Sequence, residues 1–313
     1  MYKTIGISKQ AVHKMLNLRN KQHDEREQLK HLIENVREDH PSIGVRDIYY
    51  KIKPEFMGRD KFETFCRFSN YMIKYKPKYC KTTDSCGVKR FPNLIGNKQI
   101  NRLNQVWQSD ITYFEVGGRF YFLTFIMDSY SRRILGYSVS KRLLTDHTTL
   151  PAIKMAIKTR NGFSLKGLIL HSDGGGQYYA DEFLKVTSHF KIKNSMCKNA
   201  YENGKAERLN GIIKNNYLKY RNINSFEKLC KEVDRAVELY NHDKPHIKLN
   251  RKSPIQFENY LLPLNRQETA KMKKSFYANQ TKTLLLEGIE PSEKQGKKTA
   301  QNLNVFNANF IEN

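Results

Sequence analysis

The stretch from Val106 to Asp128 most constrains what this chain can fold into. Two runs rich in aromatic and β-branched residues, Val106–Val116 and Arg119–Met127, are separated by Gly117-Gly118. Paired glycines supply the positive φ angles of a tight hairpin turn, so the runs read as adjacent antiparallel strands. Ile134–Ser140 supplies a third strand, Gly167–Leu170 a fourth and Lys191–Asn194 a short fifth. Between and after them the apolar period lengthens to that of a helix. Asp146–Arg160 reads as a helix with Asp146 as N-cap and Leu150, Ile153 and Ile157 inward; Tyr179–Ser188 and Glu202–Leu218 follow. The order βββαβαβα predicts an α/β core, a mixed sheet covered by helices.

Three acids fall at telling places on that frame. Asp110 lies near the head of the first strand. Asp173 follows the apolar run Leu165–Leu170 within His171-Ser172-Asp173-Gly174-Gly175-Gly176. Glu207 closes Glu202-Asn203-Gly204-Lys205-Ala206-Glu207, the opening of an amphipathic helix. Three inward carboxylates repel one another unless a cation joins them. Asp110, Asp173 and Glu207 are therefore candidate metal ligands, with Glu202 a weaker rival for the third place. Asp128, Asp146 and Asp181 read as ordinary caps or ion-pair partners. His171 either orients a ligand or sits in the core, and the core is the simpler place for it.

Charge points to the partner. With 55 Lys and Arg against 31 Asp and Glu, the formal net charge is +24 at pH 7. Such a surplus repels itself unless a polyanion is present, so nucleic acid leads over a merely basic, ribosomal-type surface. A membrane partner is disfavoured, because no stretch reaches the roughly 18 consecutive apolar residues of a spanning helix. The beginning of the chain also lacks the long apolar run of a secretory signal. Cys66, Cys80, Cys86, Cys197 and Cys230 form no C-x-x-C pair. Free thiols in a reducing cytoplasm fit them better than zinc or disulfides, and Cys80 with Cys86 is a weak metal candidate.

The flanks read as follows. Residues 1–73 form a helical, helix-turn-helix-like DNA-binding region. Ser8 caps Lys9–Leu18, with Val12, Met15 and Leu16 on one face and Ile5-Gly6-Ile7-Ser8 as the preceding turn. Lys9, Gln10, His13 and Lys14, together with Arg19, are left for phosphate or solvent; packing of this helix on a neighbour is an equal alternative. Three further helices follow: Asp24–Asp39 with Leu29, Leu32, Ile33 and Val36 inward, Val45–Ile52, and Asp60–Met72 carrying Phe62, Phe65, Cys66 and Phe68. Residues 74–98 are a basic linker, 99–220 the catalytic core, 221–265 a C-terminal extension with a helix over Phe226–Tyr240, and 266–313 a polar tail. Leu284–Leu286 and Val305–Ile311 are candidate docking segments within that tail.

Several motifs together resemble the DDE integrase core of IS3-family insertion-sequence transposases. They are Trp107-Gln108-Ser109-Asp110-Ile111-Thr112-Tyr113, His171-Ser172-Asp173 with Gly175, Gln177 and Tyr178, and Glu202-Asn203-Gly204 with Ala206, Glu207, Arg208, Asn210 and Lys214. Asp128–Tyr137, and Tyr240-Asn241 with Pro245, His246, Leu249, Ser253 and Pro254, extend the likeness, which runs from about Pro92 to Phe257. One departure is that the stretch between Asp173 and Glu207 is two residues shorter than is usual in the family. The resemblance implies an RNase H-like mixed-sheet core with an N-terminal helical DNA-binding region and a C-terminal helical or irregular extension. It also implies Asp110, Asp173 and Glu207 as catalytic ligands of two Mg²⁺ ions, with Mn²⁺ as a substitute. Asn210 and Lys214, on the helix face of Glu207, would steady the DNA strand. Lys205 and Arg208 are phosphate candidates, or else a solvated charged face, and Arg251 and Lys252 are DNA-contact candidates on a segment capping the core. The implied partners are double-stranded DNA (terminal inverted repeats and target), a second copy or more of the chain in a synaptic complex, and a protein from an upstream reading frame. The implied place is the bacterial cytoplasm, at the nucleoid. Two other readings stay open: a domesticated, non-catalytic DNA-binding protein, and a nuclease on the same fold. A tyrosine recombinase is disfavoured, since the tyrosines show no Arg/His/Arg/Tyr arrangement.

Overall fold

The computed structural model describes residues 6–73, 91–96, 98–161, 163–197 and 200–261. Cys80 and Cys86, nearly all of the basic linker and the polar tail with its two docking segments lie outside the described residues. Cys66, Cys197 and Cys230 are free thiols, the first two buried. The residues up to Asn259 belong to one compact unit, and a second begins at Tyr260.

Five strands, β1 (Val106–Val116), β2 (Arg119–Asp128), β3 (Ile134–Ser140), β4 (Ile169–Ser172) and β5 (Lys193–Met196), form one sheet in the order β3-β2-β1-β4-β5. The hairpin is as the sequence predicts: Val116 pairs with Arg119, and Gly117 and Gly118 adopt φ 57° and 76°, the left-handed region glycine enters freely. β1 to β3 are antiparallel, whereas β4 runs parallel to both β1 and β5. The expected mixed sheet is therefore present, with β4 and β5 each beginning two residues later than the sequence suggests.

Alternation along the strands gives the sheet two apolar faces. Leu123, Phe125 and Met127 pack with α6 (Gly204–Ile212), the turn after it and α7 (Phe226–His242). Trp107, Ile126 and Leu135 pack with α4 (Thr149–Thr159) and α5 (Asp181–His189). Asp146 does not cap α4. Thr148 holds that position, its hydroxyl donating to the Leu144 carbonyl at 2.6 Å, while Asp146 stays in the preceding loop 3.6 Å from His147. The helix expected over Glu202–Leu218 is also less regular. A 3-10 turn, Ala200–Asn203, precedes α6, and a π turn, Ile213–Tyr217, follows it.

The N-terminal region differs most from expectation. Lys9–Asp39 is one helix, α1, of 31 residues, capped by Ser8, whose hydroxyl oxygen accepts from Ala11 N–H at 3.1 Å. No break falls between Leu18 and Asp24 because Arg19-Asn20-Lys21-Gln22-His23 contains neither Gly nor Pro. Leu29 and Ile33 join α2 (Val45–Ile52) and α3 (Arg59–Phe68) in a small core around Ile48, Phe62 and Cys66. Met15 and Leu16 are exposed, since only the second half of α1 has helices beside it; Leu32, expected inward, and Phe68 are exposed as well.

This helical unit is tied to the sheet-bearing core by polar contacts. Buried His40, which caps α1, meets Asp243 through Nε2 at 2.6 Å and the Tyr217 hydroxyl through Nδ1 at 3.0 Å. Lys51 also pairs with Asp243, and these partners hold its carboxyl down near 2, His40 foremost.

A buried charge cluster closes the far end of the sheet. Arg160, at the end of α4, donates to Glu258 of α8 (Pro254–Leu261) and lies 3.6 Å from Asp128. Asp128 in turn accepts backbone N–H bonds from Asn104, Tyr130 and Ser131 at 2.8, 2.8 and 3.1 Å. The structural role read for Asp128 is the one it has.

Gly136 of β3 lies under α4. A Cβ added there would run into the Ala152 carbonyl oxygen and come within 2.7 Å of Ala156 N, both backbone atoms. Overpacking of that kind costs about 1–3 kcal/mol or more. Gly136→Ala is expected to lower the urea midpoint accordingly, and an unchanged midpoint would mean that α4 can lift from β3 at no cost.

Candidate metal centre and nucleic-acid face

The register of the sheet sets the site. Gln108 on β1 pairs with His171 on parallel β4. Two residues on are Asp110, within β1, and Asp173, one residue past the end of β4. Opposite Asp110 on β2 is Phe125, which packs beneath Leu209 and Ile213, so this is the face that α6 covers. Glu207 lies in the first turn of α6.

Asp110 senses both of the other acids. The Asp110 carboxyl is pushed up to about 7, first by burial, then by the charges of Asp173 and Glu207. Asp173 is also raised, by burial, against a 3.2 Å hydrogen bond from Gly175 N–H. Glu207 is exposed. Glu202, the rival, acts on His171 and Cys197 instead. Among the described residues no group of three or more His, Cys, Asp or Glu is drawn tightly enough to cage a metal ion. The trio is an open cluster of hard oxygen donors, a donor set that fits Mg²⁺ and leaves places for water or phosphate oxygens.

The surroundings hold these acids in place. Asn210, expected on the DNA, is only 4% exposed and donates from Nδ2 to Asp110 Oδ2 at 2.7 Å. That bond opposes the rise of the Asp110 carboxyl. Seven residues before it, Asn203 Nδ2 donates to the Ser109 carbonyl at 3.0 Å, fixing the start of α6 to β1. Spacing from Glu207 gave the face of Asn210 but not its depth. His171 is fully buried, bonded through Nδ1 to Ser195 Oγ at 2.9 Å, and burial lowers it to about 4, so it is a neutral core residue.

The three glycines after Asp173 divide their work. Side chains at Gly174 and Gly175 would meet Met196 Cε at 2.6 Å and Asp173 Oδ1 at 3.2 Å, while Gly176 has open space. Internal packing, more than approach of a ligand backbone, requires the first two.

The basic candidates separate into two groups. Lys205 turns inward, its Nζ 3.3 Å from the Ser129 carbonyl, and burial lowers it to about 8. Arg251 pairs with Asp47 at 2.6 Å and lies 3.7 Å from the centre of the Tyr50 ring, so it joins the helical unit to the core. A planar guanidinium flanked by a carboxylate and an aromatic face is already satisfied. Lys252 bonds through its backbone carbonyl to His246 N–H. In contrast Lys9, Gln10, His13 and Lys14 on α1, and Arg208 on α6, are exposed. Lys214 is half-buried, bonded to the Tyr113 carbonyl at 3.4 Å, and senses Asp110.

Comparison with known proteins agrees with this geometry. Two models described as integrase core domain match residues 101–201 and 188–254. A 31 kDa protein of insertion element IS600 from Shigella sonnei is 29% identical over 244 residues, covering 76% of this chain and 88% of its own. A putative transposase of insertion sequence IS986/IS6110 from Mycobacterium tuberculosis is 32% identical over 164 residues, half of this chain and 58% of that protein. Among solved structures, the catalytic core of HTLV-2 integrase in complex with magnesium is 24% identical, covers 49% of this chain and 94% of its own, and superposes with a TM-score of 0.39. The two matched segments together take in the whole five-stranded mixed sheet and the helices that flank it. No helix among the described residues is long and apolar enough to cross a membrane.

The raised Asp110 carboxyl has a sign that can be tested. A folded-state value near 7, against an ordinary 3.8, means the fold favours the protonated form. Stability from this group is full below about pH 4 and is lost as pH rises through 7. Without divalent ions, Asp110→Asn is expected to melt higher than the parent at pH 8, by up to about 4 kcal/mol, and equally at pH 4. Equal melting at both values would show that Asp110 carries no such burden.

Proposed function

The chain belongs to the DDE integrase-like transposases of the IS3 kind, and we propose that it cuts and rejoins DNA at the ends of an insertion sequence. The observation that carries this reading is the placement of Asp110 on the sheet face under α6, bonded to Asn210 and within electrostatic reach of Asp173 and Glu207. No Lys or Arg side chain among the described residues forms an ion pair with any of the three in the contacts that define the core, which leaves their charge for bound cations. Two Mg²⁺ ions, or Mn²⁺ in their place, would stabilise the attacking and leaving oxygens of an in-line displacement at phosphorus.

The chain's own residues do the rest. Asp110, Asp173 and Glu207 would hold the ions, with the Asp110 carboxylate fixed by Asn210, Asp173 by Gly175 N–H, and Glu207 carried on the first turn of α6. Exposed Arg208 and half-buried Lys214 would receive phosphates on either side. Glu202, turned toward His171, takes no part.

The DNA end is proposed to be a terminal inverted repeat recognised by the N-terminal helices, with Lys9, Gln10, His13 and Lys14 on the free end of α1 meeting phosphate. The net charge of +24 supports a nucleic-acid partner. Joining two ends requires at least two copies of the chain, and an upstream reading-frame protein is a further partner on this reading. A bacterial cytoplasm, at the nucleoid, is the corresponding place of action.

The test is strand cleavage and strand transfer on end-containing DNA with Mg²⁺. Asp110→Asn, Asp173→Asn and Glu207→Gln are each expected to lose at least about a hundredfold in both steps and, because the ligands act as a unit, the double variants little more. Glu202→Gln should stay within a few-fold of the parent. Cleaved but never joined products would point to a nuclease, and undiminished activity in any of the three acid variants would remove the mechanism.

A further inference from the structure

β1 continues past Asp110 to a part of the sheet where large side chains meet solvent. Tyr113 and Phe120 there are 51% and 54% exposed. They lie on the same face of the β1–β2 hairpin, ring centres 5.3 Å apart and planes at 85°. Lys214 reaches over from the turn after α6, its Nζ 5.3 Å from the centre of the Tyr113 ring. The same ammonium senses Asp110, so it stands between the acids and the aromatic pair. Arg119, the strand neighbour of Phe120, points to the other face, and Glu115, opposite Phe120 in the register, is the acid on this patch.

Cross-strand packing accounts for the contact between the rings, but not for why half of each surface is left in water on a chain of this charge. An apolar protein partner would leave the Lys214 ammonium to be desolvated. A nucleotide uses both chemistries: its base stacks on an aromatic face while its phosphate meets the cation. Bases inside a duplex already have both faces covered. Only an unpaired or terminal base has one to offer.

We propose that Tyr113 and Phe120 form a stacking ledge for an unpaired nucleobase at a DNA terminus, with Lys214 taking the adjoining phosphate. The idea rests on the DNA-processing reading above and adds a substrate feature to it: a preference for ends whose last bases are open. Tyr113, three residues or about 10 Å along β1 from Asp110, faces the other side of the sheet. A strand with its base on the ledge would pass round the edge of β1, unpaired with β4 beyond Gln108, where Lys214 meets the Tyr113 carbonyl, to reach the carboxylates.

The experiment uses the full chain without divalent ions, so that no cleavage intervenes. Duplexes ending either blunt or in a short single-stranded overhang carry 2-aminopurine as the terminal base. The expected result is binding about tenfold tighter for the overhang than for the blunt end, with 2-aminopurine emission quenched. The Tyr113→Leu/Phe120→Leu double variant, which keeps apolar bulk on the hairpin, should lose both the preference and the quenching while binding the blunt duplex within about twofold of the parent. Tyr113→Trp should keep both. Retained quenching in the double variant would overturn the ledge, as would an unchanged preference accompanied by a shift in oligomeric state, which would mark the patch as a protein interface. Absence of binding to any DNA would sink the ledge and the functional reading together. Normal binding and Mg²⁺-dependent cleavage of blunt ends with no preference for open ones would sink the ledge alone.

Discussion

The architecture depends on one buried ion cluster, Arg160 between Glu258 and Asp128. Burial works against the Arg160 charge, and the two carboxylates more than offset it. Asp128 terminates β2 and, through its bond from Asn104 N–H, sets where β1 begins. Asn104 then accepts the Trp107 indole N–H at 3.3 Å, and Ser129 donates to Gln108 at 2.9 Å. These contacts fix the pairing of Trp107 with Asp128 and hence the height of every residue on β1, Asp110 included. Glu258 also accepts from Ser131 and Arg133 at 2.6 and 2.8 Å, gathering the β2–β3 turn, the end of α4 and α8 at one point. Removing one member would leave an uncompensated buried charge, typically a loss of 3–5 kcal/mol.

The opposite arrangement holds a few residues away. There, like charges are brought together without a side-chain cation between them, and the sheet and α6 bear the cost. Asn210 and Asn203 fasten α6 to β1 so that Glu207 approaches Asp110 although the two repel. The satisfied cluster at the end of the sheet supplies the rigidity that the unsatisfied one requires. Strain of this kind persists where the surrounding structure over-determines it, and it marks sites built to receive something.

The helical unit at the N-terminus joins this core through charged and polar groups rather than a shared apolar interior. Asp243 with His40 and Lys51, Asp39 with Arg235, and Asp47 with Arg251 make the seam. Arg235 and Arg251 are used in this way. Lys9 and Lys14 on the free half of α1 and Arg208 on α6 are among the cations left exposed to a polyanion.

The amino-acid sequence by itself determined the hairpin, the strand and helix order, the three acids and the basic character, because alternation, glycine pairs and charge are local signals. It also determined that Asp128 was structural and that His171 was a core residue, from their apolar surroundings. It misjudged α1 as two helices, placed Asp146 at a cap that Thr148 holds, and turned Asn210, Lys205 and Arg251 outward. In each case the outcome depends on a partner distant in the chain: Asp110 for Asn210, Ser129 for Lys205, Asp47 for Arg251. Only the tertiary structure decided that Asp110 is buried beside Asn210 and senses Glu207, and that Tyr113 and Phe120 stay in water. The parallel pairing of β1 with β4 and the fastening of α6 decide those matters, and neither leaves a periodic trace along the chain.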